Sequence, residues 1–263
     1  MRVLVTGSSG FIGRMLMPAL EGRGHELRTE LRGCDALVHL ANIAHASVDE
    51  AELQRVNVEG TRQQAEQAAA AGVRRFVYLS SAKAAAPDDA YGRAKLAAEQ
   101  ALAGVSGLEV VLLRPPLVYG PRVKANFLAL MKLIVRGWPL PLASIENRRS
   151  LLYVGNLCDA IIRGLEAPKA AGRRYFLSDG APVSTPDLCR ALGDALGRPA
   201  RLFPFPPALL EWAGGERARR LTRSLEVDDG AIRQELGWRP PYAFEEGLRA
   251  TADWYRKQAG RGS

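Results

Sequence analysis

The stretch Val3-Leu4-Val5-Thr6-Gly7-Ser8-Ser9-Gly10-Phe11-Ile12-Gly13 constrains the fold of this 263-residue chain more than any other. A β-branched apolar run ends on Gly7, and Gly10 and Gly13 follow at equal intervals. Phe11, Ile12, Met15, Leu16, Ala19 and Leu20 then recur at helical spacing. The pattern reads as strand, tight turn and helix, with Pro18 expected to bend the helix locally. Glycines allow a close backbone approach, and the free N–H groups and positive dipole end of the following helix suit a pyrophosphate. The spacing is GxxGxxG rather than GxGxxG. Its position between the first strand and first helix makes dinucleotide binding the favoured reading over a merely structural turn.

The strand-then-helix rhythm continues. Residues 25–29 and 35–42 read as strands, 53–72 as a helix, "RRFVYLSSA" as a strand, the segment around Tyr91 as a helix, and "LEVVLLRPPLVYG" as a strand entering a proline-rich loop. Alternation of this kind predicts parallel βαβ units in an open, doubly wound α/β sheet. Beyond residue 120 the rhythm breaks into a helix ending at Gly137, a short strand with a capped helix, and a mainly helical tail. The expected division is a dinucleotide-binding domain over 1–166, with 116–150 contributing to the substrate site. A smaller lobe covers 167–263, with 173–179 returning to the sheet.

Composition narrows the function classes. The net charge of +8 comes from arginines spread along the chain, without a basic tail or an aromatic-interleaved stripe, so an anionic small molecule is a better partner than nucleic acid. No apolar run reaches the length of a membrane span, and no signal-peptide pattern opens the chain, so no membrane insertion and a cytoplasmic location are expected. Cys34, Cys158 and Cys189 are far apart, and His25, His39 and His45 form no ligand motif, so neither a disulfide framework nor a metal site is predicted.

The helix "DAYGRAKLAAEQ" carries Tyr91 and Lys95 at i and i+4, on one face. By itself that is ordinary helix composition. Beside a nicotinamide it acquires a meaning, because hydride transfer needs a proton-moving group. A tyrosine ionises near 10 unless a nearby cation favours the phenolate, and a lysine one turn away is such a cation. Ser81, just past "FVYLSS", can hydrogen-bond the same substrate oxygen.

Together "TGSSGFIG", "DALVHLAN", "VNVEGT", "FVYLSS", "YGRAK" and "LLRPPLVYGP" resemble, in order and position, the extended short-chain dehydrogenase/reductases of the NAD-dependent epimerase/dehydratase family. The ending "LGWRPPYAFEEGLRATADWY" is similar too. The resemblance covers nearly the whole chain and implies a Rossmann-type sheet with an interleaved C-terminal substrate lobe, and NAD as cofactor with NADP left open. It places Gly7, Gly10, Phe11, Ile12 and Gly13 along the pyrophosphate, and Leu40 and Ala41 near the adenine ribose. Tyr91 becomes the acid/base. Lys95 becomes the ribose contact that lowers the tyrosine pKa, and Ser81 the group orienting the substrate oxygen, with Ser80 as the neighbouring alternative. Asn57 resembles a structural asparagine near the active site, or makes a helix-start hydrogen bond. Asn126, with Lys124 beside it, and Arg149 resemble contacts to a sugar-nucleotide diphosphate; a solvated surface charge is the alternative for the two basic residues. A homodimer is the expected assembly.

Two departures bear on the reaction and the chain path. Ser81 is followed by Ala82-Lys83 rather than the Asp-Glu pair of the family's dehydratases, so dehydration is disfavoured. A nucleotide-sugar 4-epimerase of surface-polysaccharide synthesis, acting at C4 of a UDP-hexose, or a 4-keto-sugar reductase remains; a non-catalytic cofactor-binding sensor is the alternative of another class. The second departure is length. In the usual strand order 3-2-1-4, a helix and a strand separate the strand ending near Thr29 from the one beginning near Ala36. Only about six residues intervene. The straight-line path is about 19 Å, against a reach of about 20–22 Å, which leaves nothing for going around the sheet. The acidic residue for the adenosine ribose would also fall there, leaving Glu30 as a doubtful substitute. The loop between Ser81 and Tyr91 is similarly short. Backbone breaks across 28–33 and 82–89, marking absent segments, are therefore expected, with a minimal unbroken protein as the alternative.

Overall fold

Val3, Val5, Ala36, Leu37, Val38, Phe76, Val77, Val111 and Leu113 are all buried, so the strands carrying them have apolar cover on both faces. In the computed structural model, which describes residues 1–43 and 49–259, these strands form one parallel sheet. It contains β1 (Arg2–Thr6), β2 (Glu26–Arg28), β3 (Ala36–His39), β4 (Arg75–Leu79), β5 (Glu109–Arg114) and β8 (Arg174–Phe176), in the order β2-β1-β3-β4-β5-β8. The helices joining them are α1 (Gly13–Gly22), α2 (Glu50–Leu53) running through a π-helical stretch (Gln54–Glu59) into α3 (Gly60–Ala70), α4 (Ala90–Ala103) and α6 (Val154–Glu166). On one face Leu37, Phe76 and Tyr78 pack with Ala65 and Ala68 of α3 and Ala98 and Leu102 of α4. Near the opposite end of the ladder, Arg75 donates to the carbonyls of Gly164 and Ala167 at the end of α6, at 2.7 and 2.9 Å.

The chain divides into two units. The first comprises residues 1–116, 155–177 and 228–240, and includes α9 (Gly230–Leu236). The second comprises 117–154, 178–227 and 241–263. The interleaving is finer than a division at 166 and 167 anticipates. β8 returns to the main sheet, and the segment carrying α9 returns to the first unit. The second unit holds a two-stranded parallel sheet, β6 (Leu117–Tyr119) and β7 (Leu151–Tyr153). Its helices are α5 (Ala125–Arg136), α7 (Thr185–Leu196), α8 (Pro207–Thr222) and α10 (Phe244–Ala259). Gly137 ends α5 with φ of 69°, a left-handed cap that suits glycine. At the centre of this unit the Tyr119 hydroxyl lies 2.9 Å from Asp179, whose carboxylate also accepts the Tyr153 N–H.

The expected breaks are not found. Residues 29–35 join β2 to β3 through a hydrogen-bonded turn, Cys34 N–H to Leu31 carbonyl at 3.0 Å, with Gly33 at φ of 75°. The length argument assumed a full strand. β2 is only three residues long, Arg28 lies opposite Leu4, and Ala36 lies opposite Val3. The link therefore steps back by about one residue and sideways by two strand spacings of about 4.8 Å each. No further strand lies outside β2 in the sheet of the described residues, and Leu31 and Cys34 join the apolar layer on the α3–α4 face. The segment 82–89 likewise closes by local bonds: Ala84 N–H to Ser81, Ala85 N–H to Ala82, and Asp88 N–H to Ala86.

A buried ion cluster locks the strand ends to α4. Glu99 is 3% exposed and accepts two bonds from Arg114 of β5, at 2.8 and 2.6 Å, and one from Ser80 past β4. Arg174 of β8 lies 3.4 Å away. Glu99→Ala leaves the Arg114 charge buried without its partner, and a loss of about 3–5 kcal/mol in urea unfolding is expected. Replacing both partners, Glu99→Leu with Arg114→Met, should cost less than Glu99→Leu alone.

Candidate active site

All the main-sheet strands run parallel, so Thr6, the 40–43 segment and Ser80-Ser81 leave the sheet at one carboxyl edge, where open α/β sheets bind ligands. The glycine turn opens directly after Thr6. Gly7 has φ of 72°, and a Cβ built on it would stand 2.9 Å from the Ala41 nitrogen and 3.0 Å from the Leu40 carbonyl carbon. A Cβ on Gly13 would stand 2.5 Å from Gly7 O and from two backbone atoms of Ser8. Gly10 N–H closes the turn on Gly7 O at 3.0 Å, while Phe11 and Ile12 are half-buried beside it. These contacts place Leu40 and Ala41 against Gly7 and leave only glycine admissible at two positions. A backbone cradle opening onto a helix N-terminus is the donor set a dinucleotide pyrophosphate requires, so the residues fit the expected cofactor. Glu30 is exposed in the link past β2.

Lys95 is 1% exposed. Its Nζ donates to the Leu79 carbonyl at 2.7 Å and the Tyr78 hydroxyl at 3.2 Å, and it lies 5.9 Å from the centre of the Tyr91 ring. Burial lowers its pKa from 10.5 to about 7, with Glu99 opposing the shift. Burial first, and the Asp89 carboxylate second, push the Tyr91 pKa up rather than down, so the phenol keeps its proton in the chain by itself. The lowering expected from the sequence joins Lys95 to a positive nicotinamide ring, and in the chain by itself only burial and Asp89 act on the phenol.

The two serines separate cleanly. Ser80 is buried and gives its proton to Glu99, which makes it part of the ion cluster. Ser81 is half-buried at the head of a 3-10 turn over Ala82–Ala84, and its side chain accepts the Lys83 N–H at 3.3 Å. That turn is held onto α4 by the Lys83–Asp89 ion pair, by Asp89 capping Gly92 N–H at 2.7 Å, and by Gly92, whose absent Cβ leaves room for the Lys83 carbonyl. Of the two, Ser81 is the serine outside the ion cluster. Asn57 sits in the π-helical stretch and clasps Ile43 through both backbone groups at 2.8 Å, which favours the structural reading.

Lys124, Asn126 and Arg149, expected from the resemblance to contact a diphosphate, belong to the second unit. Lys124 and Asn126 are exposed at the start of α5, flanking Ala125 at φ of 53°, with Arg122 at φ of 73°. Left-handed backbone at non-glycine residues is costly and concentrates at ligand sites. Arg149 is half-buried, and its Nη1 donates to the Arg220 and Arg223 carbonyls at the end of α8. It thus has a capping task that the sequence did not reveal. Among the described residues no group of side chains could hold a metal ion, Cys34, Cys158 and Cys189 are buried and unpaired, and His45 lies outside the described residues.

Sequence reasoning missed Glu99 and His39 as parts of this site. His39 is 5% exposed between Thr6 and Thr61, at 2.8 and 3.2 Å, and burial followed by the Lys95 charge lowers its pKa to about 4. Its only sequence signal is a polar residue inside the apolar run "DALVHLAN".

A parallel doubly wound sheet with a glycine turn and a Tyr-Lys pair defines an extended short-chain dehydrogenase/reductase. The model of the NAD dependent epimerase/dehydratase family matches residues 27–177, and the chain belongs to that family. It is accordingly an NAD-dependent enzyme. The UDP-glucose 4-epimerase of Vibrio cholerae is 35% identical over 98% of this chain and 97% of its own length. That alignment spans 317 positions against 263 residues, so the relative carries segments without counterpart in this chain. A ketoreductase of Stigmatella aurantiaca acting on a farnesylated dihydroquinoline oxide is 26% identical, with 95% of each chain covered. Among solved structures, the UDP-glucuronic acid 4-epimerase of Bacillus cereus in complex with NAD superposes with a TM-score of 0.79 at 20% identity, over 98% of this chain and 99% of its own.

Two outcomes are expected. Gly13→Ala should destabilise the chain by about 1–3 kcal/mol, through overpacking of the turn, and abolish measurable NADH binding by fluorescence titration. Between pH of about 7 and about 10, the folded chain has released the Lys95 proton while the unfolded chain still binds it, so the Lys95 contribution to stability rises with pH. Urea unfolding across that window should show a positive slope that Lys95→Met reduces.

Proposed function

We propose that the chain is a nucleotide-sugar 4-epimerase that takes a UDP-hexose, works as a cytoplasmic homodimer and serves surface-polysaccharide synthesis. The observation that carries this reading is the Tyr91, Lys95 and Ser81 set at the carboxyl edge beside the glycine turn, in a chain 35% identical end to end with a UDP-glucose 4-epimerase. NAD, when bound, would supply a reversible hydride acceptor for the sugar C4. Tyr91 takes the proton of the C4 hydroxyl as the carbon is oxidised, and gives it back after the other face of the ketone has been reduced. Ser81 holds the C4 oxygen by a hydrogen bond. Lys95 holds the cofactor ribose and supplies positive charge when Tyr91 ionises. Asn126 and the donors of Arg149 not engaged with α8 contact the diphosphate.

A second reading, net reduction of a ketone, is favoured by one specific observation. Tyr91 holds its proton in the chain by itself, as a proton donor to a newly formed alkoxide should. The ketoreductase relative supports it as well.

Supplying UDP-glucose and NAD should equilibrate UDP-glucose with UDP-galactose without net change in nicotinamide absorbance. Stoichiometric NADH consumption with a 4-keto sugar, and no equilibration, would replace the first reading by the second. Tyr91→Phe loses only the ionisable oxygen, so turnover should fall by about 10²–10⁴-fold. Melting temperature and NADH affinity should stay near wild type. Turnover close to wild type in that variant rejects the assignment of Tyr91.

A further inference from the structure

Ser80 and Ser81 are consecutive hydroxyls at the end of β4, and only Ser81 has a place in the proposed chemistry. Ser80 is 3% exposed and gives its proton to Glu99 Oε1. The Glu99 carboxylate does not depend on that bond for its charge. Arg114 already meets both of its oxygens with a pair of donors at 2.8 and 2.6 Å, and Arg174 stands 3.4 Å from Oε2. A bond that the carboxylate does not require for neutralisation acts on position instead, by tying a strand end to a helix.

The register of the two elements shows what is tied. Tyr91, Lys95 and Glu99 are spaced by four residues, so they form a stripe about 80° wide on successive turns of α4. Lys95 donates to the Leu79 carbonyl at 2.7 Å and Glu99 accepts from Ser80, so two successive turns of the helix grip two successive residues of the strand end. Two such tethers fix both the height of α4 along the strand and its rotation. From the other side the strand end is held by β5 and the residues after it. Ser80 N–H donates to the Leu113 carbonyl and Ala82 N–H to the Pro115 carbonyl, each at 2.8 Å. Ser81 lies between those two backbone bonds with φ of −154° and ψ of 150°, an extended residue whose side chain points opposite to that of Ser80. Among the described residues it makes no bond to α4 of its own. Its register with Tyr91 is inherited from Ser80.

We propose that Ser80 is a positioning residue: held by Glu99, it sets the Ser81 hydroxyl in register with the Tyr91 hydroxyl, so that both reach one substrate oxygen. The proposal rests on the reading of Ser81 and Tyr91 as the groups at that oxygen, and adds what fixes the spacing between them. Two groups that share one oxygen tolerate little error, since a displacement of about 1 Å costs about 10²-fold in a positioned reaction.

The test is a double-mutant cycle with a backbone arm that needs no turnover. Ser80→Ala removes one hydroxyl and leaves the Glu99–Arg114 pair intact, so the melting temperature should fall by only about 3–6 °C. The kcat for UDP-glucose should fall by about tenfold, with KM and NADH affinity near wild type. Leu102→Val, in the apolar layer of the same helix, should lower the melting temperature by a similar amount and leave kcat unchanged. Ser80→Thr, which keeps the hydroxyl, should recover most of the loss. In a Ser81→Ala background, Ser80→Ala should cost nothing further, because it acts through Ser81. Additive losses, a normal kcat in Ser80→Ala, or an equal fall of kcat in Leu102→Val overturns the proposal. If Ser80→Thr does not fold, the cycle with Ser81 decides. In hydrogen exchange, Ser80→Ala should speed the Ala82 and Lys83 amides, which bond to Pro115 and to Ser81 Oγ, by about tenfold and leave the β3 amides unchanged. Unchanged exchange at both amides overturns the proposal even where no UDP-sugar turns over. Failure of the parent reading looks different: Ser81→Ala would keep its activity, and the proposal would fall with it. The positioning role alone fails when Ser81→Ala is impaired while Ser80→Ala is normal.

Discussion

A lysine amine with 1% exposure must give its hydrogens to oxygen atoms, and meeting that requirement for Lys95 organises most of the first unit. The oxygens come from the end of β4, so α4 has to lie close to that strand. Close approach explains the composition of the helix: Gly92, Ala94 and Ala98 are its buried small residues, and larger side chains there would hold the lysine away from Leu79 and Tyr78. The alanine content that makes "AYGRAKLAAEQ" look like an ordinary surface helix is thus what lets its lysine reach the strand.

The same requirement explains why polar contacts, more than apolar ones, define the site geometry. Successive residues of a strand point to opposite sides. Just beyond β4 this alternation sends Ser80 into the Glu99–Arg114 cluster and leaves Ser81 at the edge. The cluster ties α4 to β5 and β8 while the serine turn ties it to the 82–89 segment. With the helix held on both sides, Tyr91 and Lys95 share one fixed face. Apolar packing against Ala65, Ala68 and Phe76 supplies cohesion but would tolerate small sliding that directional bonds do not.

How much was legible follows from how local each signal is. The glycine turn, the Tyr91–Lys95 spacing and the Gly137 stop were readable because backbone geometry dictates them within a few residues. The β2–β3 link was misread because its length was judged against an ordinary strand, and nothing local says that β2 stops after Arg28. The π-helical stretch around Asn57 left only weak marks, two valines and Gly60 inside an otherwise good helical pattern. Glu99 and His39 could not be found by spacing. Their partners Arg114, Thr6 and Thr61 come from other elements and meet them only once the sheet has formed. The role of Arg149 in capping α8 has the same origin.

The direction of the two pKa shifts carries a last consequence. Lys95 is drawn down toward neutrality and Tyr91 is pushed further from ionisation, both chiefly by burial. A site in which both titrating groups lean neutral avoids the desolvation cost of a standing ion pair. It also means that the phenolate is not a resting state and forms only when further positive charge arrives. For the proposed reaction a neutral resting phenol suits proton donation and removal of a proton needs added positive charge, while hydride transfer in either direction needs the nicotinamide cofactor in place.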